Sequence, residues 1–169
     1  GKQLIRSSKV DKAFKLIILT ENKIINKRIN GIKPDLNSEQ AFQIADVIID
    51  FTVPKSTLEI LKIASKLKKK VVIGTTGFSQ KEEKLIKNYS QKIAILKAGN
   101  MSLGINLLTY LTEIASKSLN DKFLSKIFES HHKRKKDHPS GTALMLGKGI
   151  AKGKNKDLYK SLMNNQTLP

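Results

Sequence analysis

Four short apolar runs recur through the first hundred residues: KLIILT (15–20), DVIIDF (46–51), KVVIG (70–74) and KIAIL (92–96). Their spacing constrains the fold more than any other feature. Runs this short and this rich in Ile, Val and Leu read as strands buried on both faces of a parallel sheet. Between them, residues 56–69 place Leu58, Leu61, Ile63, Ala64 and Leu67 close to a 3.6-residue period, and residues 81–89 do so more weakly, as crossover helices would. The order strand, helix, strand predicts an α/β unit with a parallel sheet covered by helices on both faces. Residues 2–10 predict a short helix with no strand ahead of it, so a βα unit begins halfway through. Past residue 100 the pattern changes. Residues 102–120 predict one long amphipathic helix, 123–129 a strand, and about 140–152 a further helix opened by Pro139 and Ser140; 154–169 carry little pattern. The expected division is therefore 1–101, an α/β domain, and 102–169, an α+β domain, with no internal repeat.

Charge raises a rival reading. The formal net charge is +18, which suits nucleic acid or an anionic ligand. Yet the cations are 29 Lys and only 3 Arg, and Arg is the residue whose fork reads nucleic acid. Lys, Ile and Asn together make 60 residues, a bias that A/T-rich codons impose whatever the protein does. A basic nucleic-acid-binding module is thus supported by charge and little else, and no specific nucleic-acid partner is expected. The absence of Cys excludes disulfides, thiol catalysis and Cys-ligated metals. No run approaches the 18 apolar residues of a membrane span, and GKQLIRSSKVDK lacks the apolar core of a signal peptide, so a cytoplasmic location without a membrane partner is the default.

Three segments offer chemistry. In VVIGTTGFS (71–79), Gly74, Thr75, Thr76 and Gly77 follow a strand, at the sheet edge where open α/β folds bind ligands; a plain tight turn is the alternative. In AGNMS (98–102), Asn100 is placed either to meet a ligand or to cap the helix that follows. Glu21 directly follows KLIILT, where an acid accepts hydrogen bonds from a ribose, or stands as a solvated carboxylate. The densest constellation is ESHHKRKKDHPSGTA (129–143). It has no interleaved aromatic for base stacking, and adjacent histidines on a strand point to opposite faces and form no preset metal chelate. Acid–base chemistry fits better, from His131 and His132 with nearby Lys. The helix start at Pro139, Ser140, Gly141 and Thr142 adds free N–H groups and hydroxyls that hold anions. Together they suit a small carboxylate and leave the reaction open.

HHKRKKDHPSGTA closely resembles the H-H-x-x-K-x-D-x-P-S-G-T-A segment of the 4-hydroxy-tetrahydrodipicolinate (dihydrodipicolinate) reductase family of lysine and diaminopimelate biosynthesis. The resemblance extends through DVIIDFTVP (46–54), VVIGTTGF (71–78) and AGNMSLGINLL (98–108), in the family's order. It implies a Rossmann-like domain followed by a substrate and oligomerisation domain, and a homotetramer built through the latter. It implies that His131 donates or accepts a proton, that Lys135 is a second proton donor, and that His132, Ser140, Gly141 and Thr142 hold a small dicarboxylate. Gly74, Thr75 and Thr76 with Ala98, Gly99, Asn100 and Met101 would contact NADH or NADPH, and Glu21 its ribose. The implied reaction is NAD(P)H-dependent reduction of a cyclic imine dicarboxylate; another Rossmann reductase of an amino-acid precursor is the runner-up.

Five departures qualify the resemblance. The family's Gly-rich phosphate loop is represented only by Gly1, and the family's C-terminal portion would begin near Pro169, so the sequence reads as a fragment with an incomplete sheet, low dinucleotide affinity and poor solubility alone. His138 and Met101 replace a small and an aromatic residue. Asn22 stands where some members carry an Arg for the NADP phosphate, which tilts the cofactor towards NADH. The span from Glu21 to Asp50 is short for the family.

Overall fold

The computed structural model describes residues 1–24, 26–119, 122–131, 133 and 138–161, in two compact units that divide between Ala98 and Gly99. The first unit runs α1 (Lys2–Val10), β1 (Thr20–Glu21), β2 (Asp35–Leu36), α2 (Glu39–Gln43), β3 (Val47–Asp50), α3 (Pro54–Lys66), β4 (Lys70–Ile73), α4 (Gln80–Ser90) and β5 (Ile95–Lys97). Every ladder between these strands is parallel. β1 pairs with β2, and β3, β4 and β5 form a second sheet in that order, with Val71 opposite both Ile48 and Ile95. Parallel neighbours need long crossovers, and α3 and α4 supply them. This is the Rossmann-like α/β class that the alternating pattern predicts.

Local chemistry sets the helix ends. Pro54 opens α3 at a position where its missing N–H is no loss. Lys68 closes the helix in the left-handed region at φ +56°, while the Lys69 N–H reaches back to the Ala64 carbonyl. α4 starts with a reciprocal cap: the Ser79 N–H donates to Glu82 Oε2 at 2.7 Å, and the Glu82 N–H donates to Ser79 Oγ at 3.3 Å. The Ser79 backbone bond, then its hydroxyl, holds the Glu82 carboxyl below its ordinary pKa. The core is formed by Ile48, Val71 and Ile73 of the sheet against Ile60, Leu61 and Ala64 of α3 and Ile86 of α4.

Two strand expectations change. The run 15–20 enters a ladder only at Thr20, with Leu16 and Ile17 exposed. Apolar content permits a strand, but a neighbour makes one, and among the described residues β2 reaches only Thr20 and Glu21. Along β3, Ile48 and Asp50 are buried while Val47 and Ile49 are exposed, so these residues bury one face of the strand where the sequence predicts two.

The second unit holds α5 (Leu103–Ser118), α6 (Gly141–Gly153) and α7 (Leu158–Ser161). α5 and α6 pack closely because glycines face α5. A Cβ on Gly149 would stand 2.9 Å from the Thr109 carbonyl oxygen, and one on Gly153 2.4 Å from that of Glu113. α5 buries Ser116 and leaves Leu103, Leu107, Tyr110 and Leu111 exposed. The strand expected over 123–129 is absent among the described residues. Nothing described pairs with it, and Phe123, Leu124 and Phe128 are exposed. Ile127 and Phe128 instead line an open groove with Leu108, Leu146 and Ile150.

Candidate active site

In the first unit, the carboxyl ends of β3 and β4 carry the candidate cofactor turn. Thr75 is buried, and Gly74 and Thr76 are half-buried. The Phe51 ring stands where a Gly74 Cβ would be, so a side chain at this position would have to displace that ring. Gly77 adopts φ +84°, which turns the chain into α4. Behind the turn lies a network that sequence reasoning did not single out. Asp50, 1% exposed, accepts from the Thr52 N–H at 3.1 Å and the Thr52 hydroxyl at 2.6 Å on one oxygen, and from the hydroxyls of Thr57 and Thr75 on the other. The Thr52 N–H is shared with Thr75 Oγ1 at 2.9 Å. The signal for it was an Asp inside an apolar run, followed by Thr52 and Thr57 in DFTVPKST and by Thr75 in GTT. Glu21 is half-buried at the carboxyl end of β1, its carbonyl accepting from the Asn37 N–H. The Ala98 N–H donates to the Ile73 carbonyl at 3.1 Å, continuing the β4 to β5 ladder.

The second unit gathers the rest around the start of α6. Ser140 is its N-cap, accepting from the Ala143 N–H at 3.1 Å. Gly141 and Thr142 are the first two helical residues, whose N–H groups have no acceptor within the helix. Asn100 donates through Nδ2 to Thr142 Oγ1 at 2.9 Å and accepts from the Ser102 N–H at 2.9 Å, so it serves both the α6 start and the approach to α5. A Cβ on Gly99 would lie 3.5 Å from the Gly141 carbonyl oxygen. Met101 is exposed.

Glu129, also missed from sequence, links the histidine to this helix. One carboxylate oxygen accepts from the Ser140 N–H at 2.9 Å, and the other lies 2.8 Å from His131 Nε2. Burial pushes the Glu129 carboxyl up, but hydrogen bonds from the Ser140 hydroxyl and N–H, followed by His131, outweigh it and hold the pKa at about 2. Nothing in the sequence marks this carboxylate beyond its place two residues before His131. The His138 ring lies 6.5 Å from that of His131, tilted by 55°. His132 and Lys135 lie outside the described residues, as do Arg134, Lys136 and Asp137. The arrangement joins an imidazole, a carboxylate that orients it and an anion-binding helix start, a set able to hold a carboxylate and move a proton beside it.

Comparison with known proteins bears directly on these parts. Residues 1–101 match the family model described as "Dihydrodipicolinate reductase, N-terminus", and residues 104–167 match "Dihydrodipicolinate reductase, C-terminus". A 4-hydroxy-tetrahydrodipicolinate reductase of Pelagibacter ubique is 70% identical, over all of this chain and 67% of the relative. One from Nitrosomonas europaea is 48% identical, over 69% of this chain and 43% of the relative. The chain thus spans from under half to two thirds of the length of these two relatives. A dipicolinate-bound dihydrodipicolinate reductase from Paenisporosarcina sp. TG-14 shares the fold, with a TM-score of 0.65 at 20% identity, over 99% of this chain and 66% of that one. By both family models and by its close relatives, the chain belongs to the dihydrodipicolinate reductase family.

Proposed function

We propose that this chain supplies the cofactor turn and the acid–base site of a reductase that converts 4-hydroxy-tetrahydrodipicolinate (dihydrodipicolinate) to tetrahydrodipicolinate with NAD(P)H. Residues 1–101 are the cofactor part and 102–169 the substrate part. The observation that carries the reading is the Glu129 carboxylate, which ties His131 to the start of α6.

The first unit suits a nicotinamide dinucleotide. Glu21, at the carboxyl end of a parallel strand, offers acceptors for a ribose diol. The Gly74–Thr76 turn and the stretch Ala98–Met101 take the nicotinamide side, and Asn22 in place of an Arg favours NADH over NADPH. Bound there, the cofactor supplies the hydride. His131, held at Nε2 by Glu129, exchanges a proton at Nδ1, and Lys135 is the second donor. The substrate's carboxylates fall to His132, Ser140, Gly141 and Thr142. Thr142 Oγ1 already accepts from Asn100, so its own hydrogen is left to donate to an anion. The assembled enzyme is a homotetramer formed through 102–169 and works in the cytoplasm. No helix among the described residues is long and apolar enough to cross a membrane.

The test is steady-state reduction with NADH and with NADPH, for the wild type, His131→Gln and Lys135→Ala. Each substitution is expected to lower turnover by about a hundredfold, as loss of a positioned proton donor does, and to leave NADH affinity unchanged. Wild-type turnover in both variants removes these roles. A lower KM for NADPH than for NADH reverses the cofactor preference.

A further inference from the structure

We infer that Asp50 is a positioning residue for the cofactor: its carboxylate fixes the Gly74–Thr76 turn through the Thr75 hydroxyl, an inference that rests on the cofactor role proposed above for that turn. Asp50 is 1% exposed, and its neighbour across the sheet is Ile73, so an aliphatic side chain would suit this layer of the core. A carboxylate this buried usually has a cation beside it. Here, among the described residues, its hydrogen-bond partners are all neutral, and they fill both oxygens with two donors each.

The four donors come from two loops and one helix. Thr52 lies in the turn after β3, Thr57 in the opening of α3, and Thr75 in the turn after β4. Thr75 Oγ1 donates to Asp50 at 3.1 Å and accepts from the Thr52 N–H at 2.9 Å, so its hydroxyl is engaged on both sides. Two consequences follow for the site. Thr75 meets a nicotinamide through its backbone and not its hydroxyl. The spacing between the two strand-end loops is set by a fully satisfied buried network, an arrangement that rigidifies its surroundings.

NADH binding to the full chain, followed by fluorescence, tests this for the wild type, Asp50→Asn, Thr57→Val and Thr57→Ser. Thr57 itself is a buried residue in the first turn of α3, and Val keeps its shape while removing the donor. The Kd for NADH is expected to rise about two- to tenfold in Thr57→Val, the range for one lost hydrogen bond, and at least as much in Asp50→Asn. Thr57→Ser is expected to restore the wild-type value. Amide exchange at residues 74–77, read without cofactor, is expected to speed up in Thr57→Val and not in Thr57→Ser. If Asp50→Asn does not fold, Thr57→Val carries the test. A folded Thr57→Val whose NADH Kd stays within about twofold of wild type, below the loss of one hydrogen bond, overturns the positioning role alone. A wild-type chain that binds no nicotinamide cofactor overturns the cofactor reading and this role with it.

Discussion

The two units bury their apolar residues very differently. In the first, sheet and crossover helices enclose a continuous core centred on Leu61, Ala64, Val71 and Ile73, each at most 1% exposed. In the second, the buried hydrophobic residue among those described is Ala151, and α5 turns Leu103, Leu107, Leu108 and Tyr110 to the surface. The proposed cofactor turn is therefore mounted on a packed frame, whereas His131 depends on a few hydrogen bonds and one close helix contact. Positional precision comes from core packing in one unit and from discrete polar links in the other.

That contrast can be broken by mutation. Leu61→Ala should cost about 2–5 kcal/mol in chemical denaturation, as deletion of a fully buried Leu does. Leu107→Ala, at an exposed position of α5, should stay within about 0.5 kcal/mol. Equal losses would erase the difference between the units. Next in size is Gly153→Ala, where the new methyl would meet the Glu113 carbonyl oxygen. It should loosen the α5–α6 pair by about 1–3 kcal/mol, the range for overpacking, seen as faster amide exchange confined to residues 103–153.

Glu129→Gln should destabilise the start of α6 by about 1–2 kcal/mol, as loss of a charged bond to a helix N-terminus does. The pH dependence has a definite sign. The Glu129 pKa is lowered in the folded state to about 2, so its contribution is complete above the ordinary value of 4.5 and disappears as pH falls from there towards 2. A carboxyl carbon titration by NMR that finds the midpoint near 4.5 would remove that tether. The smallest effect concerns helix ends. Lys68 and Asn155 close α3 and α6 alike in the left-handed region, at φ +56° and +53°. Lys68→Gly should stabilise by about 0.5–1 kcal/mol, and Asn155→Gly by less because Asn already tolerates that conformation. The reverse order in thermal melts would show that packing and not backbone preference governs these ends.

Much of this was legible in the sequence where the cause is local. Periodicity gave α1, α3, α5 and α6 to within a few residues, and Ser102 and Ser140 mark their own helix starts. The five-residue α2, capped by Ser38, was missed because it is too short to show a period. Strands depend on partners. KLIILT and 123–129 have strand composition, yet the first pairs only at its end and the second not at all among the described residues. The site followed the same rule. Gly74, Thr142 and His131 stood out by motif, whereas the contacts that give Asp50 and Glu129 their place in the site include partners 25 and 11 residues away, Thr75 and Ser140, which a local pattern does not pair with them.

The glycines of α6, of which Gly149 faces α5, also weaken it as a helix. Gly147 and Gly149 lie in its interior, and each costs about 1 kcal/mol of intrinsic helicity relative to Ala. α6 therefore does not persist undocked, and its first N–H groups keep their common direction only while it rests on its neighbour. If the start of α6 holds the substrate as proposed, ligand capture and helix docking become one equilibrium. A dicarboxylate held at Gly141 and Thr142 would act as an assembly factor for the second unit, raising its melting temperature with the logarithm of ligand concentration.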